Sequence, residues 1–568
     1  MRRLTSTAAL AILTASLCAV GCGESAGGPA GAGGSAGQGG QGGQGGAGGQ
    51  GGAGAVTGVP GAYALAYLAE QDRPNFSDLY VGLTNGADNH RVNHELGAER
   101  GRVSSFEWSP GGARLAYLAE DNPLIGPACP TCLQELFTSQ PDGSDNRRVN
   151  GELVDGGRVE SFVWGPNGSR IAYLATQDIA NVPELFTSVP SGADNRKMNL
   201  ALASGDAVSA YAWSPDGSRI AYLVDRAADN LRQLYSNSAD GTDEHRVNGL
   251  LPPNGKVRSF QWSPDGSRIA YVANQDSAGL VELFASAPDG SENAKVNDEL
   301  PEGSLGLRPA SYEWNADGSR IAYQTDQAQA GVQELFTAAP DGSQRQRVNQ
   351  ELPDGASVSG FAWGPDGLLI AYAADQDTVS VRELYVGASD GAQNQKINGA
   401  LPEGGFGFVA AFRWSPDGGR IAYLADQRNA GVWELYSSLA DGTDNQRVNG
   451  PLQPLSGAVG VFRWSPDSER IAYSANQDAT ELLELYTSAA DGSENRKVNG
   501  PLSEDGSVSA FAWSPDSQRV AFRAAQAPAA RFEIYSASWD GTQNQRANPS
   551  LPPGGETFIF AWSPTPAE

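Results

Sequence analysis

The chain is built from short segments whose apolar residues occupy both faces of an extended strand. Around Trp513, for example, Phe511 and Trp513 lie two residues apart and share one face, while Val508, Ala510 and Ala512 line the other. A strand that is apolar on both sides must be covered on both sides, as in sheets stacked face to face. No segment shows a sustained helical period, so the pattern predicts an all-β protein.

Four such segments recur in every unit, and a Trp ends the first of them. The Trp opens a turn of the type Ser-Pro-Asp-Gly, where Pro fixes φ and Asp and Gly favour a tight hairpin. The intervals between successive Trp residues are 49 to 56 residues, which indicates a repeat architecture in which each unit packs only on its neighbours. The ten residues are Trp108, Trp164, Trp213, Trp262, Trp314, Trp363, Trp414, Trp464, Trp513 and Trp562.

These motifs resemble the TolB-type propeller repeat, also called PD40 and related to WD40. The matching stretches include Trp262 to Tyr271 with Leu283 to Gly290, and a second copy begins at Trp414. The resemblance implies a β-propeller of four-stranded antiparallel blades with the Trp strand innermost. Departures from the repeat are local, such as Ser468 and Ser517 in place of the usual Gly.

The two ends of the repeat region complement each other. The first unit starts at Ala64 to Ala69 without a Trp strand, whereas Phe558 to Trp562 supplies a Trp strand with no unit after it. Pairing these two segments would remove two open sheet edges and give ten blades in one closed ring. Two five-bladed rings, each closed by its own last Trp strand, are the alternative.

The N-terminus predicts export and anchoring. Residues 1–21 read as a signal peptide with a basic start and an apolar run too short to span a bilayer. Ala19 to Cys22 resembles a bacterial lipobox, which implies lipidation of Cys22; an ordinary signal peptide with an incidental Cys is the alternative. Residues 22–60 would then be the lipidated Cys plus a disordered Gly-rich tether, and residues 61–568 the propeller of ten repeats.

Charge narrows the choice of partner. The chain has 39 Lys and Arg against 66 Asp and Glu, a formal charge of −27, so nucleic acid and anionic lipid are poor partners. We expect an outer-membrane, cell-surface or periplasmic lipoprotein of a bacterium. It would be a monomer that contacts the membrane through its N-terminal lipid only and binds an envelope protein or a glycan.

Cys129 and Cys132 are the two cysteines outside the signal region. A thioredoxin-like pair would need a following helix, and zinc would need further ligands nearby. We therefore expect a small disulfide that pins a loop in an oxidising compartment.

No catalytic constellation is recognisable. The sequence lacks a Gly-x-Ser-x-Gly elbow and has only three His, of which His90 and His94 are interpreted as a loop pair. We expect no catalytic residue, metal site or cofactor. A propeller enzyme of the glycan lyase or glycosidase type remains the alternative.

Several polar residues recur in the units, and we interpret them as structural. An Asn ends the fourth strand of each unit and is expected to cap its own turn. A Glu that precedes the third strand is expected to bond between blades, to the repeated Arg that follows the first turn. Asp441 to Asn445 offers oxygen ligands for calcium, but a turn is favoured. The positions are Asn93, Asn150, Asn199, Asn248, Asn297, Asn349, Asn398, Asn449, Asn499 and Asn548; Glu184, Glu282, Glu334, Glu383, Glu434 and Glu484; and Arg170, Arg219, Arg268, Arg320, Arg420 and Arg470.

What differs between units is the better guide to function, because binding on rigid scaffolds usually resides in loops. The longest insertion runs from Asp121 to Leu133, and Gly303 to Pro309 and Gly404 to Phe408 lengthen two other connections. We predict a noncatalytic binding or scaffolding propeller. Its candidate binding loop contains Asp121, Asn122, Leu124, Ile125 and Thr131.

Overall fold

The computed structural model describes residues 63–565 except 97–100, 121–133, 403–406, 454–456, 481, 505 and 529–530. The chain divides into two units, Met1–Ala53 and Gly54–Glu568, and all described residues belong to the second. Cys22, the signal peptide, the tether, the Cys pair and the candidate binding loop lie outside the described residues. No helix able to cross a membrane occurs in the part of the chain that the structure describes.

The described residues form forty strands. The first half comprises β1 (Ala64–Ala69), β2 (Asp78–Leu83), β3 (His90–Arg91), β4 (Arg102–Trp108), β5 (Leu115–Glu120), β6 (Gln134–Ser139), β7 (Arg147–Arg148), β8 (Val159–Trp164), β9 (Ile171–Ala175), β10 (Glu184–Ser188), β11 (Arg196–Lys197), β12 (Ala207–Trp213), β13 (Arg219–Arg226), β14 (Leu231–Ser238), β15 (His245–Arg246), β16 (Val257–Trp262), β17 (Ile269–Ala273), β18 (Glu282–Ser286), β19 (Ala294–Lys295) and β20 (Tyr312–Trp314).

The second half continues the same order of three longer strands and one short one. It comprises β21 (Ile321–Thr325), β22 (Glu334–Ala338), β23 (Gln346–Arg347), β24 (Val358–Trp363), β25 (Leu369–Ala374), β26 (Glu383–Ala388), β27 (Asn394–Lys396), β28 (Val409–Trp414), β29 (Arg420–Ala425), β30 (Glu434–Leu439), β31 (Gln446–Arg447), β32 (Val459–Trp464), β33 (Arg470–Ala475), β34 (Glu484–Ala489), β35 (Arg496–Lys497), β36 (Val508–Trp513), β37 (Arg519–Ala524), β38 (Glu533–Ser538), β39 (Gln545–Arg546) and β40 (Thr557–Trp562).

The strands pair into ten antiparallel sheets of four, which confirms the predicted blades. Nine sheets use four consecutive strands, and we number them blades 2 to 10 from β4–β7 to β36–β39. Each begins with its Trp strand. The fourth strand has only two or three residues, so every blade presents a short outer edge that is a poor template for pairing with another chain.

Blade 1 is assembled from both ends of the repeat region. Its order is β3-β2-β1-β40, and Leu65 pairs with Trp562 and Tyr67 with Phe560. The predicted pairing of the last Trp strand with the first unit is therefore confirmed. The strand of Trp314, which would close a first five-bladed ring, instead pairs with β21 of its own blade, so that alternative is wrong.

The hydrophobic core consists of ten separate clusters, and each joins two neighbouring blades. One face of a blade packs on the preceding blade and the other face on the next, as in the two clusters that flank blade 9. The series is cyclic, because Leu65 and Tyr67 of blade 1 pack with Ala521 and Ile534 of blade 10. The blades are thus arranged in one ring, and the strands are apolar on both faces because both faces are interfaces.

The Trp residues connect successive blades by a second route. In nine cases the indole Nε1 donates to the carbonyl oxygen of the residue that precedes the Trp of the previous blade, at 3.1 to 3.5 Å. The bonds from Trp562 to Ala512 and from Trp108 to Ala561 include blade 1 in the series. Trp213 differs, since its buried Nε1 has no partner among the described residues.

The two Ser-for-Gly departures keep the geometry of the turn. Ser468 and Ser517 adopt φ of 66° and 61°, a region that costs a residue with a Cβ about 1–2 kcal/mol. Each hydroxyl compensates by accepting a bond from the previous blade, from the N–H of Asp417 and of Asp467, both at 3.0 Å. A strained turn residue therefore becomes another link between blades.

The contrast between Trp363 and Trp213 gives a test of the indole bond. Both side chains are 8% exposed, but only Trp363 donates, to the Glu313 carbonyl at 3.1 Å. Trp363→Phe should lower the free energy of unfolding by about 1 kcal/mol more than Trp213→Phe, because it also leaves a buried carbonyl without its donor. Urea denaturation followed by circular dichroism measures the difference. Equal losses in the two variants would show that the indoles act by packing alone.

Candidate functional site

The ring has two different faces, which follow from the up-and-down course of the strands. The ends where each Trp strand turns into the second strand, and where the third turns into the fourth, form what we call the turn face. The opposite ends carry the connections between second and third strands and between successive blades, and we call this the loop face. The insertions at 121–133, 303–309 and 404–408 all belong to connections of the loop face.

The turn face is regular because each of its turns bonds to itself. In the turn after Trp213, the Asp216 carboxylate accepts from the Ser214 hydroxyl and from the Ser218 N–H, while Gly217 takes a φ of 68°. Asp441 behaves similarly, since its Oδ1 accepts from the Thr443 N–H at 2.9 Å. The turn interpretation of Asp441 to Asn445 is thus confirmed. No cluster of three or more His, Cys, Asp or Glu suited to a metal occurs among the described residues.

The side chains of the repeated Asn residues also bond to the backbone, in this case inside the blades. In all ten units the side-chain oxygen accepts a bond from a backbone N–H of the third strand, at 2.7 to 2.8 Å. The side-chain amide donates to the carbonyl of the following residue, as Asn349 does to Gln350 at 2.7 Å. Each Asn therefore ties the end of the outer strand to its neighbour, and the structural interpretation is confirmed.

The expected partners of the repeated Glu residues are wrong. Each Glu pairs with a Lys or Arg of the outer strand in its own blade, for example Glu383 with Lys396 at 2.9 Å and Glu434 with Arg447 at 2.9 Å. The register explains this, because Lys396 pairs with Tyr385, two residues from Glu383 on the same face of the strand. The repeated Arg residues likewise bond within their own blade, as Arg420 does to Asp444 at 2.8 Å. Arg470 in addition lies over the Trp539 ring of the next blade, 3.4 Å from its centre.

The histidines do not form a common site in the described chain. His90 lies in β3 rather than in a loop, and His94 contacts the Tyr117 hydroxyl at 3.2 Å and packs on Phe137. His245 pairs with Asp243 at 2.7 Å near a turn. The interpretation of His90 and His94 as a loop pair is therefore wrong for His90.

The predicted binding loop is carried by well-defined stems. Glu120 ends β5 and pairs with Arg102 at 3.0 Å, and Gln134 begins β6 and donates to the Ser104 hydroxyl. Both partners belong to β4, the innermost strand of blade 2. The two residues that flank the loop thus lie beside the innermost strand, on the loop face.

The insertion at 303–309 folds onto blade 6. Leu307 is 3% exposed and belongs to the cluster between blades 5 and 6, while Leu305 is 71% exposed. The Asp326 carboxylate accepts the N–H groups of Leu305 and Gly331 at 2.8 and 2.9 Å. The loop face therefore presents an apolar side chain on a firmly held segment.

The innermost strands carry further side chains that are exposed rather than packed between blades. Val461, Phe558 and Ile559, on blades 9 and 1, are 41 to 55% exposed.

Two glutamates of the innermost strands, Glu107 of blade 2 and Glu313 of blade 6, are also accessible to water, but much of each carboxyl group is surrounded by protein. This desolvation raises the pKa of Glu107 to about 6 and that of Glu313 to about 7, against a smaller opposing effect of a backbone N–H.

A pocket of the loop face lies between blades 7 and 8. It has a cavity volume of about 300 Å³ and is lined by Ser357, Asp375, Ser380, Arg382 and Phe408. Phe408 ends the insertion at 404–408 that the sequence singled out. Sequence reasoning missed Arg382, because the one other blade with an Arg at this position, blade 4, pairs it with an Asp, and the sequence does not show that the two environments differ.

Comparison with known proteins agrees with the fold. Residues 137–360, less than half of the chain, match the family model described as the lipoprotein LpqB beta-propeller domain. Together with the ten four-stranded blades of the structure, this match confirms the resemblance to TolB-like propeller repeats. No curated protein matches the chain.

Several solved structures resemble the chain at low sequence identity. The chain is 12% identical to a eukaryotic initiation factor, covering 89% of this chain and 99% of that one with a TM-score of 0.45. It is 12% identical to dipeptidyl peptidase 4 of Porphyromonas gingivalis, covering 78% and 59% with a TM-score of 0.45. Putative TolB from Agrobacterium tumefaciens is 19% identical, covering 45% and 83% with a TM-score of 0.27. These likenesses carry no conclusion about activity.

The raised pKa of Glu313 predicts a pH dependence. The pKa of Glu313 is about 7 in the folded state against an ordinary 4.5. Between pH 4.5 and pH 7 the folded state therefore binds more protons than the unfolded state, and the protein loses stability as the pH rises through this range. Glu313→Gln should therefore be more stable than the native protein at pH 8, by about 1–2 kcal/mol after allowance for solvent screening. The advantage should vanish near pH 4.5. Urea denaturation across this range measures it, and an advantage that grows on acidification would contradict the assignment.

Proposed function

We propose that the protein is a noncatalytic binding or scaffolding propeller of the bacterial envelope, which recognises an envelope protein or glycan with its loop face. The observation that supports this most is the difference between the regular turn face and the irregular loop face of the ring. The repeated polar residues are engaged in bonds within and between blades, whereas all three insertions belong to the loop face. A rigid ring that presents irregular loops on one side is typical of a recognition scaffold.

The position where the chain enters the ring supports an outward-facing loop face. β1 begins at the turn face, where the Ala64 N–H donates to the Ser563 hydroxyl and the Ser563 N–H donates to the Ala64 carbonyl. A tether that precedes Tyr63 would therefore join the ring on the turn face. With Cys22 lipidated, the loop face would lie on the side of the ring opposite its attachment. The lipoprotein description of the matching family agrees with such an anchor.

Loop 121–133 is the part of the loop face that we expect to contact the partner. Its stems stand beside the inner rim, next to Ser104 of β4. A disulfide between Cys129 and Cys132 would restrict the loop and lower the entropy lost on binding. The net charge of −27 favours a neutral or basic partner surface.

Capture experiments with a loop variant test the binding function. Purified chain should retain a stoichiometric partner from detergent-solubilised native envelope. Replacing residues 121–133 by a short Gly-Ser linker should reduce retention by at least about tenfold, since loops that carry recognition supply most of the binding energy.

The matched control scrambles the residues of the same loop but keeps Cys129 and Cys132 in place, so length and cross-link are preserved. Loss in both variants with an unchanged melting temperature supports sequence-specific recognition by the loop. Retention that is unaffected by either variant would refute the role of the loop, and turnover of a glycan or peptide by the purified chain would overturn the noncatalytic assignment.

Mass spectrometry of the mature N-terminus tests the anchor. We expect a chain that starts at a diacylated Cys22 and fractionates with membranes, whereas Cys22→Ser should be found in the soluble fraction because its thiol cannot be acylated. An unmodified N-terminus downstream of Cys22 in the native protein would rule out the lipoprotein.

A further inference from the structure

Two arginines occupy the same position of the repeat in different blades. Arg232 of blade 4 and Arg382 of blade 7 each form an isolated parallel bridge to the connection that leads into the next blade, at Lys256 and Phe408 respectively. In blade 4 the register places Asp225 opposite Arg232. In blade 7 the register of Ala374 with Glu383, continued by one residue, would place Asp375 opposite Arg382.

The two Asp–Arg pairs nevertheless differ in their hydrogen bonds. Arg232 donates from Nε to Asp225 at 2.6 Å. Asp375 instead accepts the backbone N–H groups of Ser357 at 2.6 Å and Ser380 at 3.1 Å, one on each carboxylate oxygen. Both of its oxygens are therefore engaged by backbone donors rather than by Arg382.

The length of the hairpin explains the difference. β13 and β14 extend to Arg226 and from Leu231, so Asp225 and Arg232 face each other within a regular ladder. β25 ends at Ala374 and β26 begins at Glu383, and the eight residues between them form a wider loop. Asp375 turns inward to hold that loop, and Arg382 loses its counter-ion.

Arg382 is left at the mouth of the pocket. Its guanidinium lies 5.7 Å from the centre of the Phe408 ring, and it has no acidic partner among the described residues. Phe408 packs edge-on against Trp433 with ring centres 4.4 Å apart, which fixes the plane of its ring. The cavity of about 300 Å³ combines this cation and aromatic wall with Ser357, Ser380 and Asp375, whose carboxylate is held by the backbone N–H groups of the two serines.

We propose that this pocket binds a small carboxylate with a flat or cyclic body. The guanidinium has the fork geometry that matches a carboxylate bidentately, and a ring-shaped body can pack on Phe408. A cavity near 300 Å³ is at the small end of ligand sites, so the ligand has the size of one aromatic acid or one sugar acid. The inference does not depend on the envelope partner or the lipid anchor.

Calorimetric titration of the full-length chain in detergent tests the proposal, with sodium benzoate and sodium glucuronate as probes at constant ionic strength. Benzamide and glucose are the matched neutral probes. At least one carboxylate should bind saturably and at least about tenfold more tightly than its neutral counterpart, because the neutral body cannot engage the guanidinium fork.

Variants of the two equivalent arginines identify the site. Arg382→Gln should weaken carboxylate binding by at least about tenfold, and Arg382→Lys should weaken it less, since Lys keeps the charge without the fork. Arg232→Gln is the matched control and should leave binding unchanged, because Arg232 is already paired with Asp225. Phe408→Leu should weaken binding without changing the preference for carboxylates over neutral probes.

The outcomes separate the sources of the carboxylate. Binding of benzoate alone indicates an aromatic acid, and binding of glucuronate alone indicates a sugar acid, such as a unit of an acidic glycan. The proposal is overturned if neither carboxylate binds saturably, if the neutral probes bind equally well, or if Arg382→Gln binds as the native chain does.

Discussion

The contact between neighbouring blades is the interaction on which the rest of the structure depends. Each blade is apolar on both faces, so a blade alone would expose both to water, and a blade at the end of an open row would expose one. The ten core clusters and the Trp bonds join each blade to the next. Only a closed ring covers every face, and the exchange that places β40 beside β1 completes it. The ring must therefore close for all of the apolar faces to be buried.

Repetition of this contact explains why the same polar residues recur from unit to unit. A polar group buried between blades must have a partner, and a repeated interface needs the same partner in each unit. The Asn at the end of each outer strand and the Glu of each third strand meet that need locally. This is why the proposed recognition site is sought at positions that depart from the repeat.

The loop face collects these departures because of chain direction. Connections that join blades are free to lengthen there, whereas the tight turns of the opposite face bond to themselves and leave little room for insertion. Arg382 shows how one residue that differs between units has consequences. Blade 7 keeps the eight-residue connection found in most blades, so Asp375 bonds to backbone N–H groups and Arg382 becomes part of a pocket. In blade 4 the connection is shorter and the equivalent Arg232 pairs with Asp225.

The sequence by itself determined the blades, since strands that are apolar on both faces, Trp turns and the nearly regular spacing of units can all be recognised along the chain. It also determined the structural role of the repeated Asn, because a residue needed in every unit serves the unit. Only the tertiary structure decided between one ring and two, since this rests on which strand pairs with β1, some 500 residues away. The tertiary structure likewise decided which residue pairs with Glu383 and whether Arg382 has an acidic partner. Both depend on strand register and on the length of the hairpin, and the spacing of the residues along the chain does not reveal these contacts.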